Sequence, residues 1–333
     1  MGAYIVRRLV YMLVVIFAIS VVSFIVIQLP PGDFLSTYIQ NLRRSGLDIQ
    51  REQVRQLEEE YGLNMPMYAQ YFKWIGKIIL KGDFGKSFQY QERVMKLIGE
   101  RITLTMIISL ITLIFTYVMA IPIGIYAATH QYSPFDYFWT FVGFIGLATP
   151  NFLLALIFMF LFYKYLNMDV GGLFSLDFQL APWSLAKVWD MIKHLPIPIV
   201  VVGTAGTAGM IRVMRGNLLD ELRKQYVVTA RAKGVKEGRL LVRYPIRVAI
   251  NPMVSGIGGI LPQIVSGATI TAIVLSLPTT GPILFNALKA QDMYLAASCV
   301  FLLSILGVIG VFVSDMLLVV VDPRIRFERS ARG

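Results

Sequence analysis

The residues best able to do chemistry in this chain are few, and their spacing argues against bond-making. Gly85-Lys86-Ser87 has the ending of a phosphate-binding loop, where backbone amides cradle phosphates and the lysine reaches the terminal ones. Such a loop needs a further glycine five residues before Gly85, and Leu80 stands there. Only His130, His194 and Cys299 offer soft metal ligands, and they are far apart in the sequence, so neither a zinc site nor an intrachain disulfide is expected. A membrane enzyme would need a nucleophile within reach of a base or metal, and the two histidines are placed near opposite faces. What remains is polar chemistry inside or between apolar runs: Asn151, Gln263, Ser266, Thr269 and Thr271, and the basic stretch 215–247. Hydrogen bonding and docking are the chemistry such residues supply.

The elements that must hold these residues are membrane spans. The chain has 333 residues, of which 56% are hydrophobic and 15% charged, and a mean hydropathy of +0.65; soluble domains carry about a quarter charged residues. Apolar runs near 9–29, 103–128, 137–163, 195–214, 250–277 and 296–321 are each long enough to cross about 30 Å of hydrocarbon as helix. The first exceeds the usual core of a signal peptide and ends without a small-x-small cleavage site, so it reads as a retained helix. The expected fold is all-α, with six transmembrane helices.

Charge distribution sets the orientation. The net charge of +11 would suggest nucleic acid for a soluble protein, but here the cations sit in the connections. The stretch 215–247 carries nine Lys/Arg against Asp220, Glu221 and Glu237, and the tail 322–333 carries four against two acids. Connections on the other face are nearly balanced. Basic connections stay inside, so both termini and the 215–247 loop are expected to be cytoplasmic, with lipid rather than nucleic acid as the surrounding partner.

Residues 30–102 then lie outside the cytoplasm. Val54, Leu57 and Tyr61 recur at helical spacing before Gly62, and Asn64 and Pro66 look like a cap and first turn. Tyr68, Tyr71, Phe72, Ile75 and Ile79 repeat along one helical face, and Val94, Leu97, Ile98 and Ile102 lead into the second span. The segment reads as a helical cap, a docking surface for an extracellular partner, or both.

Within the basic loop, Tyr226, Ala230 and Gly234 fall on one helical face, and small residues there would let a short helix enter a groove of another protein. The run Tyr226, Val227, Val228, Thr229, Ala230, Arg231, Ala232, Lys233, Gly234 resembles the coupling loop, or EAA motif, of ABC importer permeases, in the form used by the dipeptide/oligopeptide permease family. Tyr4-Ile5-Val6-Arg7-Arg8-Leu9, Leu29-Pro30-Pro31-Gly32-Asp33 and Asp322-Pro323-Arg324-Ile325-Arg326 resemble that family's N-terminus, first-helix exit and C-terminal signature. The resemblance implies a type I ABC importer (MetI-like) permease fold in a prokaryotic plasma (inner) membrane. It divides the chain into an N-terminal helix 1–29, an extracytoplasmic segment 30–102, a five-helix core 103–321 and a tail 322–333. The implied partners are a second homologous permease, two cytoplasmic ATPase subunits or domains that bind the ATP and Mg, and an extracytoplasmic solute-binding protein. The chain itself would be non-catalytic.

Departures from the family pattern bear on the solute. Ala272 stands where a glutamate is common, Pro278-Thr279-Thr280-Gly281 replaces Pro-Gly-x-Gly, and Val228 lies near the position of the coupling glutamate. Residues 278–281 and Gln291-Asp292-Met293-Tyr294 look more like a subgroup associated with oligosaccharide uptake, which sets short oligosaccharides beside di- and oligopeptides as candidates. Asn151, Gln263, Ser266, Thr269 and Thr271 are candidates to line the path or to bridge helices. Gly203, Gly206, Gly209, Gly256 and Gly259 read as close-packing positions. An ion-coupled secondary transporter is the rival; it calls for ionisable residues near mid-membrane, and Asp315 alone approaches that description.

Overall fold

The computed structural model describes residues 2–28, 65–87, 89–166, 171–257 and 269–321, and these fold as helices joined by short turns. Their central pair is α3 (Val94–Thr129) and α8 (Pro196–Leu222). The buried face of α3 is a row of small residues at spacings of three and four: Thr105, Ser109, Thr112, Thr116, Ala120, Gly124 and Ala128. Such a row lets another backbone come close, which is how helices associate where no hydrophobic force separates helix from lipid. A Cβ built on Gly203 would lie 2.9 Å from the Phe115 ring, and one on Gly124 would lie 2.7 Å from the Met214 Cβ. Gly206 lies against Thr116, whereas a Cβ on Gly209 meets nothing within 4 Å. Because contacts on α3 and α8 advance together, the two helices run parallel.

Between them, α4 (Pro134–Ala148) and α5 (Asn151–Leu166) form a pair bent by 108°. The apolar run 137–163 was expected as one continuous span. Pro150 breaks it, since proline lacks an N–H and pushes the preceding residue to extended backbone; Thr149 has φ −91° and ψ 125°. The start of α4 is capped by Ser133, whose hydroxyl accepts from the Asp136 N–H, with Pro134 in the first turn.

A second group joins α1 (Gly2–Gln28) to α14 (Met293–Val321). Arg8 pairs with Asp315 at 2.9 Å. At the other end Phe24 and Phe301 both lie against Trp74, so α1 and α14 are antiparallel. The acid anticipated near mid-span in the last helix thus faces an arginine. Residues 251–257 are helical and tied to both groups: the Tyr117 hydroxyl donates to the Met253 carbonyl at 2.6 Å, and the Ser314 hydroxyl to the Val254 carbonyl at 2.7 Å. Ser87 before α3 is bonded to Asp292 before α14, and the two hydroxyl bonds bring Tyr117 and Ser314 to one level farther along, so α14 runs in the same sense as α3.

Smaller elements complete the described chain. α2 (Met67–Lys81) packs Tyr71 and Trp74 into the α1–α14 group. Its expected apolar face divides: Tyr71 is buried and Ile75 partly buried, whereas Tyr68, Phe72 and Ile79 are exposed. The stretch expected to lead into the second span is instead the first turns of α3 itself. α6 (Leu176–Gln179) and α7 (Leu185–His194) precede α8; α9 (Gln225–Ala232), α10 (Glu237–Arg243) and α11 (Pro245–Ala249) follow it. α12 (Thr269–Val274) and α13 (Thr280–Lys289) lead to α14. Among the described residues, four helices are long and apolar enough to cross a membrane, or five if the bent pair is one span. The helix expected over 54–61, the middle of the run 250–277 and the tail 322–333 lie outside the described residues.

Candidate coupling interface and translocation path

α8 continues to Leu222, so the first two turns of the basic loop are the end of a span. The chain then folds into an elbow, α9 followed by α10, around its own small core of Val227, Ala230 and Leu240, with Val235 and Tyr244 against it. The turn between the two helices needs Gly234, which has φ +76° with open space where a Cβ would stand. Only glycine adopts that left-handed backbone without penalty, and a glycine just past a helix is a common stop.

Sequence reasoning put Tyr226, Ala230 and Gly234 on one docking face. Ala230 is instead buried within the chain's own elbow, and Gly234 serves backbone conformation rather than close approach. Within 226–234 the surface left outward consists of Tyr226, Val228, Thr229, Arg231, Ala232, Lys233 and the Gly234 turn. Arg231 is bidentate on Glu237, at 2.6 and 3.1 Å. The pair holds the Glu237 carboxyl below its ordinary pKa and the guanidinium above its own. The Tyr226 hydroxyl donates to Glu221, and its pKa is raised, by burial first and by that carboxylate second.

One strut joins this region to the membrane helices. Arg215, two turns before the end of α8, holds Asp136 of α4 through Nε at 2.7 Å and Nη2 at 2.8 Å. Asp136 is 2% exposed and also accepts the Tyr132 N–H at 3.0 Å. A forked arginine–carboxylate pair fixes angle as well as distance, so the start of α4 moves with the end of α8. The pair was missed by sequence reasoning; Ser133-Pro134 followed by Asp136, a helix-start signature, was the available signal.

The path candidates are distributed as follows. Asn151 opens α5 directly after the bend. Thr271 is buried in α12, which packs on α5 and α13. Thr269, at the start of α12, is partly buried beside Gly281, whose Cβ would come within 2.8 Å of the Thr269 hydroxyl. Gln263 and Ser266 lie outside the described residues. The departure at 278–281 has a structural use: the Thr280 N–H donates to the Thr105 hydroxyl at 2.9 Å, and their hydroxyls lie 2.9 Å apart, which pins the start of α13 to α3. Near the first turns of α3, a cavity of about 540 Å³ opens between Gly99, Glu100, Thr103 and the 179–183 segment. Lys187 closes one side, its ammonium on the Ala181 carbonyl and against the Phe174 and Trp183 rings.

The phosphate-loop look-alike is also accounted for. Gly85 has φ +89° in a tight loop, and Ser87 donates to Asp292 at 2.5 Å. Asp292 further accepts the Gln89 N–H and caps α14 through the Leu295 N–H. Gly85-Lys86-Ser87 therefore clamps the loop before α3 to the start of α14. Among the described residues no His/Cys/Asp/Glu group could hold a metal ion.

A bundle of apolar helices with a buried polar strut and a basic elbow defines a membrane protein whose polar surface is built for partners. Residues 120–327 match the family described as binding-protein-dependent transport system inner membrane component, and residues 1–111 match its N-terminal family. The chain belongs to this family and is a permease subunit of an ABC transporter. It is 34% identical to the oligopeptide transport system permease protein AppB of Bacillus subtilis, over 98% of this chain and 100% of the relative. With the dipeptide transport system permease protein DppB of Alkalihalophilus pseudofirmus it shares 28% identity over 98% of this chain and 100% of the relative. The peptidoglycan transport system permease protein YejB of Agrobacterium fabrum is 28% identical, over 99% of each chain.

Proposed function

We propose that this chain is one of two related permease subunits that together form the path for short peptides delivered by a solute-binding protein, with two cytoplasmic ATPases binding ATP and Mg and supplying the drive. The exposed elbow α9–α10, in a chain of this family, carries the reading: it is basic, folded on its own core and turned outward. Tyr226, Thr229, Arg231, Ala232, Lys233 and the Gly234 turn meet the ATPase, with Ala230 as their internal support. Peptides are chosen because relatives matched end to end are named for oligopeptide and dipeptide transport.

The membrane arrangement is six spans with both termini in the cytoplasm of a prokaryotic cell. Parity supports it. α3 and α8 run parallel, so the chain between them returns across the membrane once, through the bent α4–α5 pair. α8 and α14 also share a direction, so one crossing lies between them, assigned to 250–277. Residues 30–102 are then extracytoplasmic, 103–321 the core containing the 215–247 loop, and 322–333 a cytoplasmic tail. Asn151, Gln263, Ser266, Thr269 and Thr271 line the path. ATP shifts the bundle between two states because the ATPases close on the elbow in only one of them, and differential affinity alone can move such an equilibrium.

The test is ATPase activity of the complex assembled with its genomic neighbours in vesicles. Loaded solute-binding protein is expected to stimulate turnover, and Ala232→Arg, at an exposed Cβ, to abolish the stimulation while leaving assembly intact. Unchanged stimulation would overturn the coupling role. Binding assays on the solute-binding protein decide the cargo: tight binding of short oligosaccharides with none of short peptides would replace the peptide assignment.

A further inference from the structure

α2 carries three stripes rather than two. Tyr71 and Trp74 are buried against α1 and α14, with Ile75 and Ile78 partly buried beside them. Gln70, Lys73, Lys77 and Lys81 make a polar stripe at spacings of three and four. Tyr68, Phe72 and Ile79 make the third, 70, 65 and 74% exposed, bordering the buried stripe and roughly half a turn from the lysines at about 100° per residue. The protein thus covers only one flank of the apolar arc. A contiguous exposed apolar face of this kind marks a contact site.

The depth of α2 says what the contact is. The Tyr71 hydroxyl lies 2.8 Å from that of Ser20, and its ring meets Phe17 and Phe24 edge-on. The Trp74 ring is 5.8 Å from both Phe24 and Phe301. Ser20 is eight residues from Gln28, and Phe301 eight from Met293, so each sits about 12 Å of rise inside the end of its span. α1 is about 40 Å long and overhangs about 30 Å of hydrocarbon by roughly 5 Å at each end, so α2 is held beside the spans roughly 7 Å below the level where acyl chains give way to headgroups, the depth of an interfacial helix.

We propose that α2 is an interfacial helix whose occupant is the phospholipid leaflet. Tyr68, Phe72 and Ile79 lie among the upper acyl chains, and Lys81, exposed at the end of the helix, reaches toward headgroup phosphates. This is the arrangement of a helix lying in a membrane surface, with long cationic side chains reaching outward. The anchor fixes the end of the 30–102 segment that joins α3. The inference rests on α1 and α14 being spans, and not on the solute or the ATPases.

Nitroxide labels report this directly. In the assembled transporter, reconstituted in phospholipid vesicles on a Cys299→Ala background, labels go singly at Phe72→Cys, Ile79→Cys and Lys81→Cys. Collision with oxygen, which concentrates in acyl chains, is compared with collision with a water-soluble nickel chelate. At 72 and 79 oxygen should exceed nickel several-fold, with the order reversed at 81. Nickel dominant at 72 and 79 would mean a water-facing stripe; both reagents slow would mean a cover of protein, whether the solute-binding protein or another segment of this chain. Either result overturns the proposal. A label at Val14→Cys, exposed in the middle of α1, must give the oxygen-rich signal; its failure would indict the span assignment instead.

Discussion

The α3–α8 crossing and the α9–α10 elbow both depend on glycine, for unrelated reasons. At the crossing, Gly124 and Gly203 have ordinary helical backbone and no room for a side chain. In the elbow, Gly234 has room for any side chain and a backbone that few tolerate. The crossing is held by packing between distant parts of the chain, the elbow by a three-residue core and one surface ion pair. The first resists deformation; the second keeps its outward surface uncommitted for a partner.

The largest break in that comparison should come from Arg215→Ala. It strips the nearly buried Asp136 carboxylate of its partner at the point where crossing and elbow meet, a loss of about 3–5 kcal/mol where the stranded charge is buried. Thermal inactivation of the purified complex should shift strongly downward, and Asp136→Ala, which leaves only a partly exposed arginine behind, should do less. Next, Gly124→Leu overpacks against Met214, for which about 1–3 kcal/mol is expected; a variant as heat-stable as the parent would show that the crossing is looser than its geometry. Gly234→Val should cost about 1–3 kcal/mol from left-handed strain, whereas Gly234→Asn, which accepts that backbone, should be nearly silent. Equal losses from Val and Asn would move Gly234 into the close-packed class with Gly124.

The smallest effect concerns acid. Glu237 has its pKa depressed by Arg231, so the pair contributes above the ordinary carboxylate pKa of about 4.3 and is lost as pH falls below it. Amide protection over residues 231–237, taken relative to the intrinsic exchange rate at each pH, should thus be flat between neutrality and mild acidity and fall only below about pH 4; Glu237→Gln should remove that step. Loss of protection near neutrality would point to another titrating group.

Much of the fold was legible from local pattern. Hydropathy runs located the four long helices, and Tyr71 at helical spacing announced α2. The broken third span was not anticipated, although Pro150 stood in plain view, because an apolar run looks the same whether straight or bent. The elbow was recognised from its small and basic residues, yet the role of Ala230 was misjudged: periodicity shows that residues share a face, not whether that face turns to a partner or to Leu240.

By itself the sequence determined membrane residence, helical class and the site of the basic elbow, since each depends on residues near one another in the chain. Only the tertiary structure decided which polar groups satisfy each other. Asp136 and Arg215 are 79 residues apart, Thr105 and Thr280 are 175, and Ser87 and Asp292 are 205. In a low-dielectric surrounding each such group must find a partner, and which partner it finds depends on which helices have come to lie side by side.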